Sequence, residues 1–188
     1  MSTTTTPTMP TTPAARRAVP RLGARTRKAV LSVHLAAMGT WLGMDVVLGI
    51  LVATALRADG PTSAVMARAI GVFVGLPLVV AAVATLVSGI VLGLGSKYGL
   101  LRYWWVGVKL VLTVVLTVLV IVVLVPSVAE LAAAAAASQE AGDAGSARFV
   151  FDRQLIYPPI VSTAALLFAA AISVIKPWGR RVRERGER

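Results

Sequence analysis

The sequence predicts an all-α integral membrane protein, an antiparallel bundle of four transmembrane helices. Of its 188 residues, 57% are hydrophobic and only 14% are charged, whereas soluble domains carry roughly 25% charged residues. The charges are also segregated, because long stretches of the chain contain none. A helix needs about 20 apolar residues to cross a hydrocarbon core of ~30 Å. The chain has room for four such helices, short loops and two tails, but not for a separate soluble domain.

The predicted spans are residues 29–56, 69–95, 104–126 and 155–175. Residues 1–28 form an N-terminal tail whose Thr- and Pro-rich beginning is expected to be disordered and whose second half is basic. Residues 29–178 form the transmembrane domain, and residues 179–188 form a second basic tail.

The distribution of Lys and Arg predicts the orientation. Fourteen of these residues flank the spans on the side of the two tails, four lie on the opposite side, and Lys109 lies inside the third span. Cytoplasmic flanks carry the excess of positive charge, so we expect both termini in the cytoplasm and the protein in a bacterial inner membrane. The net charge of +11 then indicates anionic lipid headgroups as the partner rather than nucleic acid.

The first span could instead be a cleaved signal peptide, since Ala53-Thr54-Ala55 resembles a cleavage site. Its apolar stretch is longer than the 7–15 residues of a signal sequence, which favours a retained helix.

Small residues and prolines predict local features of the helices. The spacing Gly39-x-x-x-Gly43 predicts close contact between the first helix and a neighbour, and such faces are compatible with a homo-oligomer or a membrane partner. Pro77 is expected to kink the second helix. Asp59-Gly60-Pro61 is expected to form a turn in an outer loop at 57–68, and Tyr157-Pro158-Pro159 is expected to open the fourth helix. Six alanines at 132–137 are strong helix formers and favour a third helix that continues beyond the span.

The notable side chains of the first span share one stripe, because His34, Met38, Trp41 and Asp45 are spaced by 4, 3 and 4 residues. Asp45 lies near the middle of the span, where an ionisable group costs about 2.5–3.5 kcal/mol. It is either a proton or cation site or a neutral carboxyl hydrogen-bonded to another helix, with Thr117 as the candidate partner.

The cytoplasmic half holds the other candidate site. His34, Lys109 and two serines, Ser88 and Ser173, are expected at similar depth, with Lys176 at the boundary below. One interpretation is a pocket for an acidic ligand or a haem propionate, in which these bases are the cofactor-binding residues. In the other, Lys109 extends to the headgroups and His34 donates to a carbonyl.

Enzyme signatures are missing from the sequence. It has no cysteine, no Walker sequence, no Ser/His/Asp set on matching elements and no two-histidine metal motif. His34 and Met38 alone are a weak pair of copper ligands. We therefore predict no catalytic residue and no metal site, and favour a protein that is not an enzyme.

Short motifs across residues 30–178 resemble a known group of proteins. They are His34-x6-Trp41-Leu42-Gly43, Ser88-Gly89, Trp105-x3-Lys109 and Lys176-Pro177. The set resembles small bacterial integral membrane proteins grouped as a predicted family of unknown function, which are similar to the CopD copper-resistance proteins and, more distantly, to the HemJ-type protoporphyrinogen oxidases.

The HemJ resemblance implies that His34 matches a haem-associated histidine and Lys176 the lysine of the terminal Lys-Pro. This chain has only one histidine, so bis-histidine ligation within one subunit is excluded. The CopD resemblance implies outward Met and His, but only Met44 and Met66 lie towards that side.

Two functions remain open from the sequence. The first is non-enzymatic binding of a small ligand, cofactor or partner in the cytoplasmic half of the bundle. The second is haem-linked redox chemistry or copper handling, as the resemblances imply.

Overall fold

The computed structural model describes residues 23–95, 104–142 and 149–175, and all regular structure in these ranges is helical. Four helical stretches are long and apolar enough to cross a membrane: Ala24–Ala55, Gly60–Leu94, Trp104–Glu140 and Arg153–Ile175. This confirms the all-α prediction with four candidate spans. Most of both predicted tails, and Lys176 with them, lie outside the described residues.

The first two stretches are joined by a much shorter connection than predicted. Helix α1 covers Ala24–Ala55 and helix α2 covers Gly60–Val74, so the predicted outer loop at 57–68 is largely helical. Asp59 caps α2, because its carboxylate accepts a hydrogen bond of 3.1 Å from the Thr62 N–H. Pro61 in the first turn needs no amide partner. The Asp-Gly-Pro sequence therefore starts a helix instead of marking the middle of a loop.

The second stretch is broken where a proline predicted a kink. Helix α3 covers Leu76–Leu94, with Pro77 in its first turn. The break itself is at Gly75, whose ψ of −115° departs from helical geometry and whose N–H still reaches the Gly71 carbonyl at 3.1 Å. Proline lacks an amide hydrogen and its ring crowds the preceding turn. Gly75, the residue before α3, takes up the resulting change in backbone direction.

The third stretch runs through a wide turn around another proline. Helix α4 covers Trp104–Leu119, a π-helical turn covers Val120–Leu124, and helix α5 covers Val125–Glu140. Pro126 occupies the first turn of α5, where a regular α-helix would require an amide hydrogen that proline lacks. The helix continues through the alanine run, as predicted, and ends before Gly142, which has a φ of +74°.

The last stretch begins at a capped turn. Asp152 accepts a hydrogen bond from the Gln154 N–H at 2.9 Å, and a 3-10 turn at Arg153–Ile156 leads into helix α6, Tyr157–Ile175. The prediction that Tyr157-Pro158-Pro159 opens this helix is confirmed.

The helices pack in a pattern centred on α1. Helix α1 contacts α3, α2 and α6; α5 packs along α2, and α4 lies against α3 and α6. Trp41 and Val52 of α1 are completely buried in the core. Large apolar side chains also cover the outside, including Val72 and Leu76, each about three-quarters exposed. Soluble monomers rarely expose contiguous apolar surface of this kind, whereas a lipid-facing surface requires it.

Within this chain, the predicted close contact at Gly39 and Gly43 with a neighbouring helix does not occur. A Cβ atom added to either glycine would meet nothing within 4 Å, and both residues are exposed. The close approaches occur elsewhere: an added Cβ at Gly71 would be 3.0 Å from the Ala132 Cβ, and one at Gly89 would be 3.3 Å from the His34 ring. The Gly-x-x-x-Gly spacing alone does not predict which glycines contact another helix of the chain and which lie on the outer surface.

Candidate functional site

His34 and Lys109 line the same cavity, which we call the basic cavity. It encloses about 240 Å³ between α1, α3, α4 and α6. Its walls contain three side chains with basic nitrogens, those of Arg27, His34 and Lys109. The remaining wall is mainly apolar and includes Leu31, Met38, Leu86, Leu92, Leu110 and Leu166.

The imidazole of His34 is fixed through one ring nitrogen. Its Nδ1 lies 3.1 Å from the Thr85 carbonyl oxygen and 2.9 Å from the Ser88 Oγ. A carbonyl only accepts, and the single hydroxyl hydrogen of Ser88 is directed to the Ala84 carbonyl, 2.5 Å away. Both contacts therefore require Nδ1 to carry the hydrogen and donate it. In the neutral ring, Nε2 is then the nitrogen with a free lone pair.

The absence of a side chain at Gly89 makes room for this ring. An added Cβ would lie 3.3 Å from His34 Cε1 and 3.7 Å from Nδ1, which is tighter than an ordinary contact between carbon atoms. Gly89 therefore lets α3 approach the imidazole closely enough for two neighbours to hold Nδ1: Thr85, one turn before it, and Ser88, directly before it.

Lys109 is held on the opposite wall. Its ammonium group donates to the Ser173 hydroxyl of α6, and that hydroxyl donates to the Ala169 carbonyl at 3.1 Å. Lys109 is half-buried, and this contact holds its ammonium group against α6. The predicted neighbour Lys176 lies outside the described residues, only three positions beyond Ser173 in the sequence.

The charge of the basic cavity is one-sided. No Asp or Glu is among the described residues that line it. An anion in this space could accept hydrogen bonds from Lys109 and Arg27, and charge-assisted bonds of this kind are roughly twice as strong as neutral ones. The apolar remainder of the wall fits a hydrocarbon group. The arrangement is suited to a small molecule that combines an anionic head with an apolar body.

Arg27 was not expected at this site. It belongs to the segment predicted as a tail, but α1 begins at Ala24 and so carries Arg27 into the folded part. It precedes His34 by seven residues, close to two helical turns, which places both on one side of α1. That spacing was visible in the sequence, but the helix start was not.

Asp45 is separated from the basic cavity. It is 3% exposed and lines a second cavity of about 380 Å³, which we call the acidic cavity because Asp45 and Asp152 are its charged residues. The structure shows no hydrogen bond between Asp45 and its predicted partner Thr117, whose hydroxyl donates to the Thr113 carbonyl at 2.8 Å. Asp45 Oδ2 is buried with no hydrogen-bond partner among the described residues.

The residues of the basic cavity do not fit haem within one subunit. His34 offers one axial nitrogen, Nε2, and Met38 lies one turn away on the same helix, so the two cannot bind opposite faces of a macrocycle. A volume of 240 Å³ is also below the ~300–1,000 Å³ typical of sites for drug-sized ligands. Among the described residues, no group of three or more His, Cys, Asp or Glu could hold a metal ion.

Comparison with known proteins adds no relative to this picture. No protein-family model matches the sequence, and no curated protein or solved structure matches it either. The resemblance to CopD-like and HemJ-like proteins therefore rests on the short motifs alone and stays a hypothesis.

Proposed function

We propose that this chain is a binding protein of the bacterial cytoplasmic membrane, not an enzyme, which takes up a small acidic molecule in the basic cavity. The four spans form an antiparallel bundle with both termini in the cytoplasm. The basic cavity then opens towards the cytoplasmic half, and anionic lipid headgroups surround its mouth.

The orientation is supported by the charged residues at the helix ends. Lys and Arg are concentrated in the two tails and in the segment at 96–103, all of which lie on the same side of an antiparallel bundle of four spans. Positive residues favour the cytoplasmic side. Arg27, at the start of α1, belongs to this side, and so does the end of α6 that carries Ser173.

One observation carries the ligand assignment: basic groups from α1 and α4 converge on one cavity with no acidic residue in its described wall. A buried ammonium without a counter-ion is costly, and the Ser173 hydroxyl compensates for only part of its lost hydration. A bound carboxylate would supply the missing negative charge. The ligand class is accordingly a carboxylic acid with an apolar body smaller than a typical drug molecule.

The test is the binding of radiolabelled decanoate to the purified protein in a neutral detergent, with decanol as the uncharged competitor. A hydrogen bond to a charged group contributes about 1.5–3 kcal/mol. Replacement of Lys109 by methionine should therefore weaken decanoate binding about tenfold to hundredfold. Lys28→Met is the matched control, because Lys28 is an exposed lysine in the first turns of α1 that does not line the cavity.

Two results would refute the proposal. Competition by decanol as strong as that by unlabelled decanoate would reduce the site to an apolar crevice. An equal loss of binding in Lys28→Met and Lys109→Met would mean that the charge at the protein surface attracts the acid.

A haem-linked function of the HemJ kind is the second candidate, favoured by one observation. The Nδ1 contacts of His34 leave Nε2 available, which is how metal-binding histidines are commonly oriented. A Soret absorption band in the purified protein that disappears in His34→Gln would support this function, with a second subunit supplying the other ligand. Colourless protein would exclude it. Copper handling has only His34 and Met38 as candidate ligands in this cavity.

A further inference from the structure

The acidic cavity is distinct from the proposed acid-binding site. It is bounded by α1, by α4, the π-helical turn and the start of α5, and by the 3-10 turn and α6. Its charged residues are both carboxylates, Asp45 deep in the bundle and Asp152 at the exposed rim. No Lys, Arg or His is among the described residues of its wall.

Two polar groups in this wall are buried without well-formed hydrogen bonds. Asp45 is 3% exposed and Ser162, on α6, is 7% exposed. The Ser162 hydroxyl interacts with the Asp45 carboxyl, but the contact falls short of a well-formed hydrogen bond, and neither Asp45 Oδ2 nor Ser162 Oγ has another partner among the described residues. A buried polar group without a partner costs about 1–3 kcal/mol, and a charged group costs more. Two such groups in the wall of one cavity indicate a ligand that completes their hydrogen bonds.

No described basic residue lines this cavity, not even Arg153 of the 3-10 turn. Arg57 donates to the Ala53 carbonyl at 3.0 Å, and Arg68 donates to Gln139 at 2.6 Å. Neither lines the cavity. The described wall therefore supplies no positive charge to balance an ionised Asp45, and a cationic ligand would supply it.

The rest of the wall selects the type of cation. Eight of its residues are apolar: Leu116, Leu119, Val120, Val123, Leu124, Leu155, Pro158 and Val161. A metal ion such as Ca²⁺ needs about six to eight oxygen ligands, whereas most side chains in this wall are apolar. Tyr157 adds an aromatic ring, and aromatic rings attract organic cations. A volume of about 380 Å³ is within the range of small-molecule sites.

The π-helical turn is an independent indication. It contributes Val120, Val123 and Leu124 to the wall. Such turns are rare and occur frequently at functional sites. Here the wide turn also moves the chain around Pro126, so the cavity forms where regular helical packing is interrupted.

We propose that the acidic cavity binds a primary or secondary ammonium ion with an apolar body, whose N–H groups donate to Asp45 and Ser162. The two orphaned oxygens accept hydrogen bonds, and an ammonium with at least two N–H groups reaches both. A quaternary ammonium has no N–H and leaves them unsatisfied. This site shares no residue with the basic cavity, so each site can be tested while the other is empty.

The probes for the test are benzylammonium, benzyl alcohol and benzyltrimethylammonium at pH 7. A ligand that binds only the folded protein raises the melting temperature with increasing concentration, which yields an apparent Kd. We expect benzylammonium to stabilise the wild-type protein, and the alcohol and the quaternary ion to bind at least tenfold more weakly. Asp45→Asn should weaken benzylammonium binding at least tenfold. Glu130→Gln removes a carboxylate that is exposed outside the cavity and should change nothing.

Ser162→Ala is the second variant, in case Asp45→Asn does not fold. It should weaken benzylammonium binding several-fold but leave the binding of benzyltrimethylammonium unchanged. Equal stabilisation by the amine and the alcohol would overturn the proposal, because the cavity would then recognise only the ring. Equal stabilisation by the quaternary ion, or no stabilisation by benzylammonium, would overturn it as well.

Discussion

Alanine is predicted to have opposite effects on stability at two glycines that the sequence pattern does not distinguish. Both Gly43 in α1 and Gly71 in α2 belong to Gly-x-x-x-Gly pairs. At Gly71 the added Cβ would lie 3.0 Å from the Ala132 Cβ of α5. At Gly43 it would meet nothing within 4 Å. The first substitution pushes two packed helices apart, whereas the second only replaces glycine by a better helix former.

The difference between the two variants can be estimated from these contacts. In a helix, alanine is favoured over glycine by about 1 kcal/mol, and this gain applies at both positions. Overpacking adds a cost of typically 1–3 kcal/mol, but only at Gly71. Gly71→Ala should therefore be about 1–3 kcal/mol less stable than Gly43→Ala. For a chain of this size that corresponds to roughly 2–12 °C in melting temperature.

Thermal unfolding in detergent, followed by tryptophan fluorescence, measures this difference, since Trp41 is completely buried in the folded protein. The variant Ala132→Gly provides a control for the contact. Combined with Gly71→Ala, it restores the original atom count at the interface, so the double variant should lose less stability than the two single changes predict together. The reasoning fails if Gly71→Ala is as stable as Gly43→Ala, or if the double variant shows no compensation.

Two further predictions concern orientation and the histidine. A reporter enzyme that is active only outside the cytoplasm should be silent when fused after Arg188 and active when inserted near Gly142; the reverse pattern would overturn the proposed topology. Because His34 is the only histidine, its ¹⁵N signals are unambiguous, and the neutral ring should carry its hydrogen on Nδ1. Ser88→Ala should preserve this tautomer, because the Thr85 carbonyl still accepts, and a hydrogen on Nε2 would contradict the hydrogen-bond assignment.

Local features of the fold could be predicted from the sequence because their causes are local. Hydropathy over about 20 residues identifies the spans, and proline disrupts helices wherever it occurs. Hence the break beside Pro77, the continuation through the alanines at 132–137 and the start of α6 at Tyr157 were all predicted. Helix starts were less accurate: the cap at Asp59 was interpreted as part of a loop, and Arg27 as part of a tail.

Features that depend on helix neighbours could not be predicted in the same way. In a membrane protein, apolar residues cover both the inside and the outside of the bundle, so polarity does not identify the packed face. Gly39 and Gly43 therefore appeared equivalent to Gly71, although they are exposed. The partners of His34 could be anticipated only as residues at similar depth. No sequence pattern indicated that Asp45 of α1 and Ser162 of α6 line the same cavity.

The basic and acidic cavities are successive along α1, and a buried layer separates them. Met38 lines the first and Asp45 the second, about 10 Å further along the helix, and Trp41 between them has no exposed surface. A charged ligand would have to cross this apolar layer to pass from one cavity to the other, which favours two separate binding sites over a conduction path.

His34 and Asp45 are about 16 Å apart along the axis. At that distance and an effective dielectric constant near 20, two unit charges interact by about 1 kcal/mol. An anion in the basic cavity and a cation in the acidic cavity would therefore attract each other across the layer, so occupation of one site should strengthen the other about fivefold.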